Sequence, residues 1–169
     1  MPVVNFDGPI LATSTYVNDV AVQRNAKFEI PALTNVTAEI QAMGKHDVPL
    51  RGFFESAEYK GNYGRFDPAI AAAFSPVKNT IEHRWVLTEI DPDGNEHDVG
   101  FKCFITGKPK VGFPGVSVEP GNVPEMEHTM SVQSMFMYRD GTEMLAFDRF
   151  NQTYRVNGVD YYRSIDQYL

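Results

Sequence analysis

Apolar and polar residues alternate one by one along most of this chain, and that alternation limits its fold more than any other feature. A period of two places successive side chains on opposite faces of a β-strand. From Asn35 to Met43, Val36, Ala38, Ile40 and Ala42 share one face, and Thr37, Glu39 and Gln41 share the other. After a predicted loop, Gly44 to Pro49, a second strand is expected near Phe53 to Lys60. There Phe53, Ala57 and Tyr59 oppose Ser56, Glu58 and Lys60. Two long hairpins follow. The first joins Thr80–Ile90 to Glu96–Gly107 through Asp91-Pro92-Asp93-Gly94-Asn95, with Val99, Phe101, Cys103 and Ile105 on one face. The second joins Glu125–Tyr138 to Thr142–Val156 through Arg139-Asp140-Gly141. In its first arm Met126, His128, Met130 and Val132 point one way, and Glu127, Thr129, Ser131 and Gln133 the other.

One segment breaks the alternation. Asp67 followed by Pro68 and the apolar run to Phe74 is the start chemistry of a helix, which Pro76 should stop. Pro109 to Pro124 reads as a long loop, Asn157 to Asp160 as a turn, and Tyr161 to Leu169 as a short helix. The expected architecture is one mainly β domain spanning the 169 residues. It is an antiparallel β-sandwich or barrel with one short α-helix and long hairpin loops.

Chemistry is hard to find in this sequence. The single Cys103 excludes an intrachain disulfide and any zinc site built on several thiolates. Beside Phe101 and Ile105 it reads as a small core residue. His46, His83, His97 and His128 have no metal-ligand spacing, and no serine sits in a G-x-S-x-G elbow. Phosphate-binding and dinucleotide-binding glycine motifs are absent. Glu89, Asp91, Asp93, Glu96 and Asp98 crowd one hairpin tip. They lack the twelfth-position glutamate of a calcium loop and read as a solvated turn. No catalytic residue, cofactor or metal is expected.

The formal charge is −7, which argues against binding nucleic acid through the overall field. The first residues lack a basic segment followed by a long apolar run, so no secretory signal is expected, and folding in the cytoplasm is. The longest apolar stretch, Ala69 to Phe74, is far below the ~20 residues of a membrane span, so no membrane partner is expected. What stands out is a surface. The Thr37, Glu39, Gln41 and Glu127, Thr129, Ser131, Gln133 faces suit the wall of an aqueous channel, where hydroxyls and amides stay wet and acids repel phosphate.

Several strings, taken in order, resemble the major tail tube protein of contractile-tailed bacteriophages and R-type bacteriocins. They are K-F-E-I-P-A-L-T (Lys27 to Thr34), M-G-K-H-D-V-P-L-R-G (Met43 to Gly52) and F-D-P-A-I-A-A-A-F (Phe66 to Phe74). M-F-M-Y-R-D-G-T-E-M-L-A-F-D (Met135 to Asp148) and N-Q-T-Y-R-V-N-G-V-D (Asn151 to Asp160) complete the set. The resemblance implies a non-enzymatic virion subunit, assembled in the host cytoplasm into hexameric rings that stack as a hollow tube. It implies the sheath, tape measure, baseplate hub and tail terminator proteins as partners, with DNA as cargo only. Lumen-lining candidates are then Thr37, Glu39, Gln41, Ser56, Glu58, Glu127, Thr129, Ser131 and Gln133. Subunit-contact and stacking candidates are His46, Asp47, Val48, Val156, Asn157, Gly158, Val159, Asp160, Tyr161 and Tyr162. Residues 1–16 would be an extended N-terminal arm, 109–124 a long loop and 157–169 a C-terminal turn and tail. The competing reading is a soluble ligand-binding β-barrel or an uncharacterised enzyme, with the aromatic strand faces enclosing a cavity.

Overall fold

The computed structural model describes residues 4–169. In chain order its strands are β1 (Phe6–Val17), β2 (Val20–Arg24), β3 (Asn35–Ala42), β4 (Gly44–Phe54) and β5 (Glu58–Tyr63). A helical turn α1 (Pro68–Ala71) runs into a 3-10 turn at Ala72–Phe74. The strands resume with β6 (Asn79–Ile90), β7 (Glu96–Pro109), β8 (Met126–Arg139), β9 (Thr142–Asp148), β10 (Thr153–Val156) and β11 (Val159–Asp160). Helix α2 (Arg163–Asp166) follows them. The fold is mainly β and antiparallel, as the alternation requires.

Nine strands form one sheet in the order β11-β10-β9-β8-β7-β6-β1-β2, and β5 also pairs with β8. One edge of β8 takes β7 from Met130 to Arg139. The other edge is divided, with β9 on Ser134–Arg139 and β5 on Met126–Ser131. The sheet wraps one main core built from Val17, Tyr59, Ile70, Phe74, Ile81, Ile105, Met130, Met135 and Phe147, among others. Helix α1 closes that core as its sequence dictates. The Asp67 carboxylate accepts from the Ile70 N–H at 3.0 Å, Pro68 opens the helix, and Ile70 is fully buried.

A bulge keeps β8 in phase with this core. Thr106 pairs with Ser134 and Gly107 with Val132, leaving Gln133 as the extra residue. Met126, His128, Met130 and Val132 are buried before it, and Met135 after it. Glu127, Thr129, Ser131 and Gln133 therefore share their outer face with Ser134, Phe136 and Tyr138. A Cβ at Gly107 would overlap the Ser131 carbonyl oxygen and stand 3.0 Å from its carbon, so the crossing is open to glycine alone.

Four expectations are corrected. The N-terminal stretch is not a free arm: β1 lies between β6 and β2, with Thr15 and Val17 buried. Without it β6 would carry an unpaired edge. Residues 1–3 of that expected arm lie outside the described residues. The expected loop Gly44 to Pro49 is part of β4, because Gly44 at φ +131 makes the reversal and frees the residues after it to pair with β3. The strand expected over Phe53 to Lys60 is interrupted, since the Arg149 guanidinium binds the Phe54 and Glu55 carbonyls at 3.1 and 2.7 Å. The arm Thr142 to Val156 is split at Arg149–Gln152. There the Asp148 carboxylate accepts from the Phe150 and Asn151 N–H groups at 3.0 and 3.1 Å and organises a turn.

Candidate assembly surface

Strands β3 and β4 form a two-stranded sheet of their own, paired with no other strand among the described residues. Ala38 faces Val48 and Ile40 faces His46, while Thr37 faces Pro49, Glu39 faces Asp47 and Gln41 faces Lys45. The ribbon is therefore amphipathic. One face carries Val36, Ala38, Ile40 and Val48, and the other Thr37, Glu39, Gln41, Lys45 and Asp47. Among the described residues these faces are only partly covered: Ala38 and Val48 are half-buried, and Val36 is 36% exposed. Ile40 is 47% exposed, and Met43 at the tip is fully exposed. An isolated two-stranded hairpin is marginal in water, and an apolar row held in solvent marks a contact surface. The polar side ties itself together, with Lys45 3.3 Å from Glu39.

The other lumen candidates lie apart from the ribbon, on the outer face of the main sheet. Glu58 faces Ser131, Lys60 faces Thr129 and Asn62 faces Glu127. Glu58 is bracketed by Lys60 at 3.7 Å and by the Lys110 ammonium, whose hydrogen bond holds the carboxyl below its ordinary range. Lys108 faces Ser131 from β7. This face is thus not acidic: Lys60, Lys108 and Lys110 outnumber Glu58 and Glu127 on it. Ser56 lies in the exposed link before β5, in a concavity with Ser131, Gln133, Lys78, Lys108 and Arg149. The hydroxyl row continues past the expected set, Thr80 facing Thr106, which faces Ser134, which faces Asp148, but Thr106 and Ser134 are buried. Reading Thr106 and Ser134 into it required the bulge, and the signal for that was the lone Gly107 facing the change of parity in β8.

The stacking candidates divide as well. His46 and Asp47 are exposed and Val48 is half-buried on the ribbon. Val156, Asn157, Gly158, Val159 and Asp160 form a tight hairpin between β10 and β11, with Asn157 at φ 50 and Gly158 at φ 79. Val159 and Tyr161 are exposed. Tyr162 is a correction: it turns inward, 8% exposed, against Gly52 and Phe53 of its own chain.

The titratable groups of the interior support packing. The His83 ring meets the Thr15 hydroxyl at 3.0 Å and the Tyr59 hydroxyl at 2.9 Å, and stacks on Phe28 at 4.0 Å. His128 is fully buried among Tyr59, Tyr63 and Phe74. Neither ring nitrogen, nor the Tyr63 hydroxyl, has a partner at hydrogen-bonding geometry among the described residues. Burial pushes both histidines down to about 4, with the Ala73 carbonyl opposing it weakly at His128. At the acidic hairpin tip the Asp91 carboxylate accepts from the Asp93 and Asn95 N–H groups at 2.9 and 2.8 Å, so the turn itself uses it. Glu89 is engaged by Asn5, Arg139 and His97. Among the described residues no cluster of three or more His, Cys, Asp or Glu is placed to hold a metal ion.

Cys103 is fully buried and its thiol is pushed up to about 12 by burial. In the native protein it should react with a disulfide reagent at least about 100-fold more slowly than a model thiol, and at the ordinary rate in denaturant. Rapid native labelling would contradict this placement.

The interior that a ligand-binding barrel would leave open is filled by Ile81, Ile105, Met130, Met135 and Phe74. Its most conspicuous surface is an uncovered amphipathic ribbon. A filled interior and an exposed amphipathic ribbon are features of a structural subunit rather than of a ligand-binding barrel. The family model for phage tail tube protein FII matches residues 9–169, and the chain belongs to that family. No curated protein gives a significant match to the sequence. Family membership makes the chain a structural component of the virion tail that assembles with itself and other tail proteins into a tube.

Proposed function

We propose that the chain is the major tube subunit of a contractile tail, that six copies close a ring, and that rings stack into a hollow tube conducting DNA inside a sheath. The observation that carries this reading is the unpartnered β3–β4 ribbon, with its apolar row exposed and its own sheet left at two strands. Another copy of the chain would cover that row and add strands to it, which removes open edges as ring closure does. His46, Asp47 and Val48 would take part in this contact, and the Val156–Asp160 hairpin with Tyr161 would supply a second one. The hydroxyl and amide groups of Thr37, Gln41, Thr129, Ser131 and Gln133, with Glu39, Glu58 and Glu127, would line the bore. Of the cations on the main-sheet face, Lys60 and Lys110 are engaged by Glu58, which lowers what passing DNA would gain there from counterion release. The sheath, tape measure, baseplate hub and tail terminator proteins are the partners of this reading, and the host cytoplasm its place of assembly.

The test is assembly after charging the apolar row. Val36→Asp with Ile40→Asp alters two exposed positions, so the subunit should keep its stability within about 0.5 kcal/mol. Its yield of rings and tubes, read by sedimentation and negative-stain microscopy, should fall at least about tenfold. Undiminished tubes from this variant would remove the ribbon from the interface.

A further inference from the structure

We infer that Tyr162 is a positioning residue that fixes the direction in which the β3–β4 ribbon leaves the body. The ribbon joins the body through an irregular stretch. Between two ladder positions β3 advances from Asn35 to Thr37, while β4 runs from Pro49 to Phe54. Leu50, Arg51, Gly52 and Phe53 therefore have no partners in register, and such a break lets a strand bend and twist. On the body side of the break the chain is held firmly. Phe54 packs edge-on against Phe147 and Tyr154 at 5.1 and 4.8 Å, and Arg149 binds the Phe54 carbonyl. The Glu55 N–H donates to the Thr34 carbonyl at 2.8 Å.

The ring of Tyr162 closes over the break. Its Cδ2 lies 2.5 Å from where a Cβ on Gly52 would stand, and the ring meets Phe53 edge-on at 6.2 Å. Gly52 has φ +80, so both its backbone and its missing side chain are needed for the contact. The ring is aimed by its own segment. The Asp160 carboxylate accepts from the Tyr162 and Arg163 N–H groups at 2.9 and 3.0 Å. The Tyr161 N–H donates to the Tyr154 carbonyl at 2.9 Å. The contacts of the Tyr162 side chain run through the ring, so Phe should replace it and smaller or rounder side chains should not. A ribbon held in one direction spares a neighbouring copy the ordering cost of docking it. That consequence rests on the ribbon being the contact element proposed above; the positioning itself does not.

The experiment is a distance distribution measured by double electron–electron resonance on the unassembled subunit. Spin labels go on Met43→Cys at the ribbon tip and Asp93→Cys at an exposed turn. Cys103 is buried and stays unlabelled. The parent and Tyr162→Phe should give one narrow distance, and Tyr162→Ala and Tyr162→Leu one at least about twice as wide, with unchanged far-UV circular dichroism. Should Tyr162→Ala fail to fold, Tyr162→Leu decides. Equal widths in the folded variants would overturn the inference. A widened distribution with undiminished tubes would keep the positioning role and overturn instead its consequence for assembly.

Discussion

Replacing Gly107 by alanine is expected to cost about 3 kcal/mol or more, with much of the chain failing to accumulate as folded protein. The reason is geometric. β7 and β8 approach closely where Gly107 faces Val132, and a single added methyl would overlap the Ser131 carbonyl oxygen. That oxygen belongs to backbone and cannot swing aside as a side chain would. Relief requires moving β8, which also carries β5 on its other edge through Glu58–Ser131 and Tyr59–Met130. Restoring a regular ladder by expelling the bulge is worse, because a one-residue slip turns every side chain over. Met126, His128, Met130 and Val132 would then face solvent, and Glu127 would enter the core. A chemical denaturation midpoint for Gly107→Ala beside Gly112→Ala, in an open loop with nothing near its Cβ, isolates the effect. Equal midpoints for the two would refute the crossing.

Acid should destabilise the subunit well before its carboxylates titrate. His83 and His128 sit near 4 in the folded protein and near 6.5 unfolded. The folded state disfavours the charged imidazole, so the unfolded chain binds more protons between those two values. Stability is full above pH 6.5 and falls as the pH drops towards 4. By pH 5 each histidine accounts for about 2 kcal/mol of loss. The groups packed against the two rings, Thr15, Phe28, Tyr59, Tyr63 and Phe74, are neutral and offer no counterion. Glu58, Glu89, Asp91 and Glu143 are held low by their partners, and their own contribution is lost only as the pH falls below the ordinary carboxylate range. Urea unfolding at pH 7.0, 6.0 and 5.0 should show the decline. An unfolding free energy flat to pH 5 would contradict the burial of both rings.

Much of this protein was legible in its residues. The long hairpins β6–β7 and β8–β9 announce themselves by alternation and by turn residues whose positive φ the structure confirms at Asp140 and Gly141. Asp67-Pro68 announces α1. What escaped depends on partners far along the chain. β1 is hidden because its buried positions include Thr15, a hydroxyl placed there to meet His83. β4 is hidden because Gly44 and Pro49 look like loop residues until β3 is seen to pair across them. The outer face of β8 was read correctly as far as Gln133, and its continuation was lost because a bulge changes parity without leaving a mark in a single strand. Tyr162 looks like a surface aromatic in sequence. Only Gly52, more than a hundred residues earlier, explains why it is buried.

The proposed tube requires each chain to bury its ribbon against further copies of itself. Cryo-electron microscopy of the purified protein at high concentration tests it most directly. Stacked six-fold rings around an open bore, with Val36, Ile40 and Val48 buried between subunits, are the expected result. A protein that stays monomeric at every concentration, or tubes in which those three side chains face solvent, would contradict it.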